Sequence, residues 1–245
     1  MKTLVALPSY NEAENITQLV EKILSLSENY HIVVIDDNSP DQTFEILNAF
    51  IVNLPSHDQQ RVHAIKRVMK DGRGGAVWHG INWGIASEIY FENFVEMDCD
   101  FSHDPVYIAQ GIKKLKDGFD LVLGSRYPDG KIINWPFKRR ILSLFANLLC
   151  RLLISYKIHD YTNGYRFYNR KSALYLSNYK MQCKGYINLS ETLCKLLKNN
   201  FSIGSFPIIF VNREYGSSNT NITETLDALL SIFKIALRYR FDKNF

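Results

Sequence analysis

Apolar residues in the first 130 positions fall into short runs, the one at 32–35 β-branched throughout, separated by stretches of helical spacing. Residues 3–7 form one run, stopped by Pro8, and residues 32–35 a second, stopped by Asp36-Asp37-Asn38-Ser39-Pro40. Residues 62–65, 94–97 and 121–124 repeat the pattern. Runs of this kind read as strands buried on both faces. Between them, Ile16, Leu19, Val20, Ile23 and Leu24 recur at helical intervals over residues 12–26. Helices are also predicted over 44–54, 74–90 and 105–116. Alternating strands and helices predict an α/β domain with a mostly parallel central sheet flanked by helices. Such sheets bind ligands beyond the carboxyl ends of their strands. Polar clusters sit at those predicted ends: Pro8 to Glu12, Asp36 to Asp41, Asp98-Cys99-Asp100 and Ser125-Arg126.

Past residue 130 the alternation fails. Residues 137–154 have polar positions at Arg140, Ser143, Asn147 and Arg151 with apolar residues between, which predicts an amphipathic helix with a wide apolar face. Residues 206–211 read as a strand. From Glu224 onward, Asp227, Ser231, Lys234 and Arg238 share one stripe of a helix, with Leu226, Leu229, Leu230, Phe233 and Leu237 opposite. For both helices the simplest expectation is an apolar face packed on the protein's own core, with membrane contact as the alternative.

The chain has 245 residues, which suits one domain with a small appendage. Its net charge of +4 is unevenly spread. Residues 1–60 carry two Lys/Arg against nine Asp/Glu, and the remainder 27 against 16. A basic second part suits a phosphate group or an anionic surface, or is simply a solvated face. The excess is dispersed and no nucleic-acid motif accompanies it, so a nucleic-acid partner is not expected. Cys99, Cys150, Cys183 and Cys194 form no C-x-x-C pair, and a reducing, cytoplasmic location is expected. Residues 141–154 would span only ~21 Å as a helix, short of the ~30 Å hydrocarbon layer.

Asp98 and Asp100, one residue apart at a buried strand end, repel each other unless a hard cation with oxygen ligands, Mg²⁺ or Mn²⁺, relieves them. The alternative is a solvated acidic turn capping the helix near Pro105, with Asp104 as the cap. Lys70-Asp71-Gly72-Arg73-Gly74-Gly75-Ala76 is a basic, glycine-rich turn opening a helix, a setting in which backbone N–H groups meet anions. It has neither P-loop nor G-x-G-x-x-G spacing. Arg126, at the next strand end, offers a planar fork to a phosphate or, alternatively, to a surface carboxylate.

These residues resemble a known family. Pro8-Ser9-Tyr10-Asn11-Glu12 and Asp36-Asp37-Asn38-Ser39-Pro40-Asp41 resemble family 2 glycosyltransferases of the GT-A fold. More narrowly, residues 97–105, Gly124-Ser125-Arg126-Tyr127, residues 135–147, residues 160–166 and residues 213–218 are similar, in order, to the dolichyl- or polyprenyl-phosphate mannose synthases. The resemblance implies a GT-A catalytic domain over 1–218, with a donor half at about 1–130 and an acceptor half at about 131–218, followed by a C-terminal amphipathic helix over 219–245. It implies that Pro8, Tyr10, Glu12, Asp37, Lys70, Asp98, Cys99, Asp100, Arg126 and Arg213 meet the donor. Asp98, Asp100 and Ser102 would meet a Mg²⁺ or Mn²⁺ ion, and Arg139, Ser143 and Arg213 the acceptor phosphate. Asp100, Arg126, Arg139 and Arg213 are the expected catalytic group.

The implied reaction is inverting transfer of a hexose, mannose from GDP-mannose in the first instance, to a polyprenyl or dolichyl phosphate. The alternatives are a polyprenyl-phosphate glucosyltransferase or another family 2 enzyme using a UDP-sugar, and a non-catalytic binding protein on the same fold. The implied partners are a nucleotide-diphosphate sugar, the lipid phosphate, a membrane surface at its cytoplasmic face and a membrane-anchoring partner subunit. Asn219, where the family often has Lys, and Asn163, where it has Ser, depart from the pattern.

Overall fold

The computed structural model describes residues 1–69, 72–179, 181, 187–212 and 222–242. In chain order the elements are β1 (Thr3–Ser9), α1 (Ile16–Leu26), β2 (Tyr30–Asp36), α2 (Thr43–Val52), α3 (Ser56–Gln59), β3 (Val62–Lys66), α4 (Gly72–Ala86) and β4 (Asn93–Glu96). A 3₁₀ turn (Pro105–Tyr107) leads into α5 (Ile108–Lys116), then β5 (Leu121–Ser125), β6 (Lys131–Ile133) and α6 (Phe137–Leu153). The chain continues through β7 (Arg166–Asn169), α7 (Arg170–Ser177), α8 (Asn188–Lys198), β8 (Ile203–Pro207), β9 (Ile209–Val211) and α9 (Ile222–Phe241).

Seven strands form one sheet in the order β3-β2-β1-β4-β7-β5-β8, and β6 pairs with β9 in a small parallel ribbon. Every pairing in the large sheet is parallel except those of β7, which runs antiparallel between β4 and β5. The expected α/β architecture is therefore present. Along β1 and β2, side chains alternate between two cores, as strand geometry requires. Val5, Leu7, Ile32 and Val34 join α1 and α5 on one face, while Leu4, Ala6, Val33 and Ile35 join α4 on the other. Helix α4 lies close against the sheet. A Cβ at Gly80 would stand 2.3 Å from Ile35 Cδ1, and one at Gly84 2.1 Å from Leu4 Cδ2, so the approach depends on both glycines.

The predicted 206–211 strand is two strands, β8 and β9, broken at Ile208 and belonging to different sheets. Strand β7 and helices α7 and α8 had no counterpart in the sequence pattern. The two amphipathic helices correct a further expectation among the described residues: Ala146, Leu149, Cys150 and Leu153 of α6 join the core, but much of each predicted apolar face stays outside. In α6 the polar positions Ser143 and Asn147 turn toward the protein, while Phe137, Ile141, Leu144, Phe145, Leu148 and Leu152 are all exposed. Asn147 is drawn inward because its side chain serves the adjoining loop, accepting from Tyr161 N at 2.7 Å and donating to Thr162 Oγ1 at 3.3 Å. In α9, Leu230, Phe233 and Leu237 are exposed, and Ile232, Ile235 and Ala236 are buried instead. Arg238 reaches Glu191, which is fully buried in α8 and needs a cation.

Candidate active site

Parallel pairing puts the ends of β1, β2, β3, β4 and β5 on one edge. Antiparallel β7 adds the segment that precedes it, residues 160–165, to the same edge. Strand order reverses between β1 and β4, the position at which open α/β sheets leave a crevice.

On the β1–β2 side, short side chains order two turns. Asp36, paired in register with Ser9 and Lys66, accepts from Ser39 N at 2.9 Å and from Ser39 Oγ. Ser39 Oγ in turn accepts from Asn11 N at 3.0 Å. Asn11 and Asn38 both have φ of 60°, a left-handed conformation that asparagine tolerates. Glu12 N donates to Thr43 Oγ1 at 3.0 Å. Asp37 is buried, and its Oδ1 accepts from Arg67 at 2.6 Å. Arg67 has no counterpart in the sequence motifs.

Strand β4 ends at Glu96, and the chain bends through Asp98 to Ser102, with Phe101 at φ 58°. Asp98 Oδ1 accepts from Arg73 Nε at 2.6 Å. Asp100 Oδ1 accepts from Ser102 N at 3.1 Å and from the Ser102 hydroxyl. The Ser102 hydroxyl thus points at Asp100. Cys99 faces the other way, buried in the core with its thiol donating to the Pro8 carbonyl at 3.3 Å. Burial pushes that thiol well above its ordinary pKa. Asp104 does cap the following 3₁₀ turn, accepting from Val106 N at 3.1 Å.

Behind the bend, His103 is fully buried. Its Nδ1 accepts from Asp98 N at 3.0 Å, which leaves the proton on Nε2 to donate to Asn163 Oδ1 at 2.9 Å. Burial, only partly opposed by Asp98, lowers the imidazole pKa. His103 is therefore a neutral brace between the β4 bend and residues 160–165. Asn163 completes it by donating to the Gly124 carbonyl.

Arg126 does not hold its fork open. It is buried and forms a two-pronged pair with Asp160, Nε to Oδ2 and Nη2 to Oδ1, both at 2.8 Å. Arg126 N also donates to Asp160 Oδ2 at 2.9 Å, and Nη2 to Thr162 Oγ1 at 2.7 Å. Burial raises the Asp160 pKa, but Arg126 and the N–H donors outweigh it, so the net shift is downward. Thr162 connects this pair to Asn147 on α6. One turn earlier on α6, Ser143 Oγ accepts from the Tyr127 hydroxyl at 3.2 Å. Arg139 lies over the Trp135 ring at 4.3 Å and donates to Asn212 at 3.2 Å. A cavity of about 250 Å³ opens beside these groups. Lys131 and Arg140 bring positive charge to it, Arg126 borders it while paired with Asp160, and Pro128, Ile132 and Ile133 give it an apolar wall.

The structure thus brings Pro8, Tyr10, Glu12, Asp37, Asp98, Asp100, Ser102 and Arg126 to one sheet edge, with Arg139 and Ser143 on the adjoining helix. Lys70 and Arg213 lie outside the described residues. Among the described residues no cluster of three or more His, Cys, Asp or Glu could hold a metal. No described helix is long and apolar enough to cross a membrane.

A family model described as glycosyl transferase family 2 matches residues 4–175. The chain belongs to this family. The wider comparisons agree with its being a glycosyltransferase. It is 35% identical over 243 residues to a polyprenol monophosphomannose synthase of Mycolicibacterium smegmatis, covering 99% of this chain and 89% of that one. It is 30% identical over 243 residues to an undecaprenyl-phosphate mannosyltransferase of Micrococcus luteus, covering 99% and 97%. Among solved structures it resembles a glucosyl-3-phosphoglycerate synthase of Mycobacterium tuberculosis in complex with Mn²⁺, UDP and glucosyl-3-phosphoglycerate. The TM-score is 0.67 at 17% identity, covering 97% of this chain and 79% of that one. That likeness establishes the GT-A fold.

Proposed function

We propose that this glycosyltransferase moves mannose from GDP-mannose to a polyprenyl phosphate, with inversion at the sugar C1 and with a divalent metal ion. The reading rests chiefly on one juxtaposition. At the end of β5, on the sheet edge that also carries Asp98 and Asp100, Arg126 and Tyr127 border a cavity that combines positive charge with an apolar wall, as a phosphate on an apolar chain requires. Two relatives named for mannosyl transfer to polyprenyl phosphates, similar over nearly the whole chain, support the same acceptor and sugar.

On the donor side, Pro8, Tyr10, Glu12 and Asp37 line the turns that receive the base and ribose. Asp98 and Asp100 would supply hard oxygen ligands suited to Mg²⁺ or Mn²⁺. A bound ion stabilises negative charge on the departing diphosphate. Ser102 holds the Asp100 carboxylate in place and is the weakest of the three ligand candidates, because its hydroxyl proton is already directed at Asp100. Cys99 contributes through its backbone, since its side chain is buried.

On the acceptor side, Arg139, Ser143 and the cations of the cavity gather the lipid phosphate. A phosphate oxygen attacks C1, the bond from C1 to the diphosphate oxygen breaks, and the nucleoside diphosphate leaves with the electron pair. The attacking group is already an anion, so the reaction requires no strong base. His103 fits that account, because both its nitrogens are spent in bracing hydrogen bonds. Arg126 acts through Asp160 and Thr162 to fix α6 against the sheet edge. Lys70 and Arg213 join the two phosphates on the strength of the sequence resemblance.

The exposed apolar row on α6, headed by Lys138, Arg139 and Arg140, suits contact with an anionic membrane surface where the acceptor resides. The experiment is incubation with Mn²⁺ or Mg²⁺, a short polyprenyl phosphate, and GDP-mannose or UDP-glucose in parallel. The expected product is a β-linked mannosyl phospholipid from GDP-mannose. A product from UDP-glucose alone, or an α-linked product, would overturn the donor or the inversion respectively.

A further inference from the structure

The guanidinium of Arg73 lies among the acidic residues at the end of β4. Its Nε donates to Asp98 Oδ1 at 2.6 Å, Nη1 to Glu96 Oε1, and Nη2 to the Gly164 carbonyl at 3.2 Å. Side-chain exposure is 10% for Arg73, 3% for Glu96 and 20% for Asp98, so these charges meet largely out of water. The seat is shaped for the group. A Cβ at residue 164 would stand 2.2 Å from Nη2, so glycine there is what gives the guanidinium its room. Glu96 is fixed from its other oxygen by the Tyr168 hydroxyl at 2.8 Å.

Asp98 is one of the two carboxylates proposed to hold a divalent ion, and the role inferred for Arg73 rests on that reading. A guanidinium and a divalent ion compete for one carboxylate oxygen, and two cations at such range in a partly dry site repel. We propose that Arg73 is a resident counter-cation that weakens the hold of this site on a free divalent ion and couples metal loading to the arrival of a diphosphate. Without donor, Arg73 neutralises Asp98 and Glu96, and a bare ion gains little by displacing it. A nucleoside diphosphate brings negative charge to the same place and offsets the repulsion between the two cations. Ion and nucleotide then bind more tightly together than apart, and by linkage each strengthens the other equally. Arg73 is in this sense a positioning residue for the metal, with no contact to the reacting carbon required.

The test is direct titration of the full chain with Mn²⁺ by calorimetry, first alone and then with saturating GDP or UDP. The wild type should bind Mn²⁺ at least about ten-fold more tightly with the nucleotide present, within the usual span of coupling between sites. Arg73→Gln should bind Mn²⁺ alone about ten-fold more tightly than the wild type, with the nucleotide coupling reduced. Arg73→Lys keeps the charge and should keep the coupling.

Because Arg73→Gln leaves Glu96 buried without its cation, two further variants guard against misfolding. R73Q/E96Q restores neutrality, and Gly164→Ala pushes the guanidinium off Asp98 while leaving its charge in the chain. Both should tighten binding of Mn²⁺ alone. Folded variants that bind Mn²⁺ alone no more tightly than the wild type, or that lose it, would overturn the proposal and make Arg73 a plain support of the site. Mannosyl transfer is a separate readout. Its failure alongside the expected Mn²⁺ pattern would remove the proposed reaction and leave the counter-cation standing.

Discussion

Asp160→Asn probes the buried pair that joins the sheet edge to α6. Asp160 is 1% exposed and Arg126 5%, and the carboxylate accepts from Arg126 Nε, Nη2 and N and from Thr162 N. The substitution keeps the shape and one acceptor oxygen but strands a buried guanidinium without its counter-charge. Breaking such a pair costs about 3–5 kcal/mol. Retention of one neutral acceptor puts the expectation near the lower end, about 3 kcal/mol. With a urea slope of about 3 kcal/mol per molar for a chain of this size, the midpoint should fall by about 1 M at pH 7. The lowered Asp160 pKa sets the pH dependence. The stabilisation is complete above the unfolded carboxylate value of about 4, and it is lost as pH falls through the lower folded value. The gap between variant and wild type should therefore narrow only below about pH 4. Removing both charges, as in R126M/D160L, should cost less than Asp160→Asn, because no charge is left stranded. Equal midpoints for Asp160→Asn and wild type at pH 7, or a gap that persists unchanged to pH 3, would refute the reasoning.

The same geometry sets three other outcomes. Chelation with EDTA should stop sugar transfer, Mn²⁺ or Mg²⁺ should restore it, and Asp100→Asn should lower kcat/KM by about 10³-fold, or about 4 kcal/mol. A near-normal kcat/KM in Asp100→Asn would remove that residue from the metal site. His31 is buried, and burial, with help from Lys2, His63 and Arg61, lowers its pKa to about 4. It stays neutral in the fold while the unfolded chain takes up a proton, so the wild type should lose about 2–3 kcal/mol from this group between about pH 6.5 and pH 4. His31→Phe should lack that part of the acid loss in urea midpoints taken across this range, and an unchanged pH dependence would count against the assignment. Leu148 on α6 is 50% exposed, so Leu148→Asp should change stability by no more than about 0.5 kcal/mol while reducing flotation with anionic liposomes. Undiminished flotation would argue that α6 is not the contact.

Much of the sheet was legible because β1, β2 and β5 are apolar runs with a polar stop at each carboxyl end. Strand β7 was not. It is four residues long, Arg-Phe-Tyr-Asn, and begins with an arginine that reads as solvent-facing. Arg166 is nonetheless fully buried, because the carbonyls of Tyr161, Asn163 and Leu189 and the Thr192 hydroxyl absorb its donors. Helix α8 does carry an apolar stripe, Leu189, Leu193 and Leu196, but it is a short helix in which Asn188, Ser190, Glu191, Thr192 and Lys195 are buried as well, so its polar residues masked it. The site was legible as a set of strand ends but not as a set of contacts. Arg73 finds Asp98 across 25 residues and Arg126 finds Asp160 across 34, pairings decided by strand order. The outward apolar residues of α6 and α9 teach a related point. Helical spacing separates two faces without saying which one docks, and here the loop at residues 160–163 gave the polar face of α6 its partners.

Strand β7 also constrains how the molecule comes into being. A ribosome delivers β1 to β5 first, and none of those five strands can fill the gap between β4 and β5. The growing chain must hold both facing edges open until residues 166–169 emerge, and β8 closes the outer side of β5 only after residue 203. Unpaired strand edges of this kind invite pairing with another chain. A fragment ending near residue 130 would hence carry most of the proposed donor contacts yet remain unfinished through the middle of its sheet, and production of the donor half alone should yield aggregates rather than a smaller binding protein.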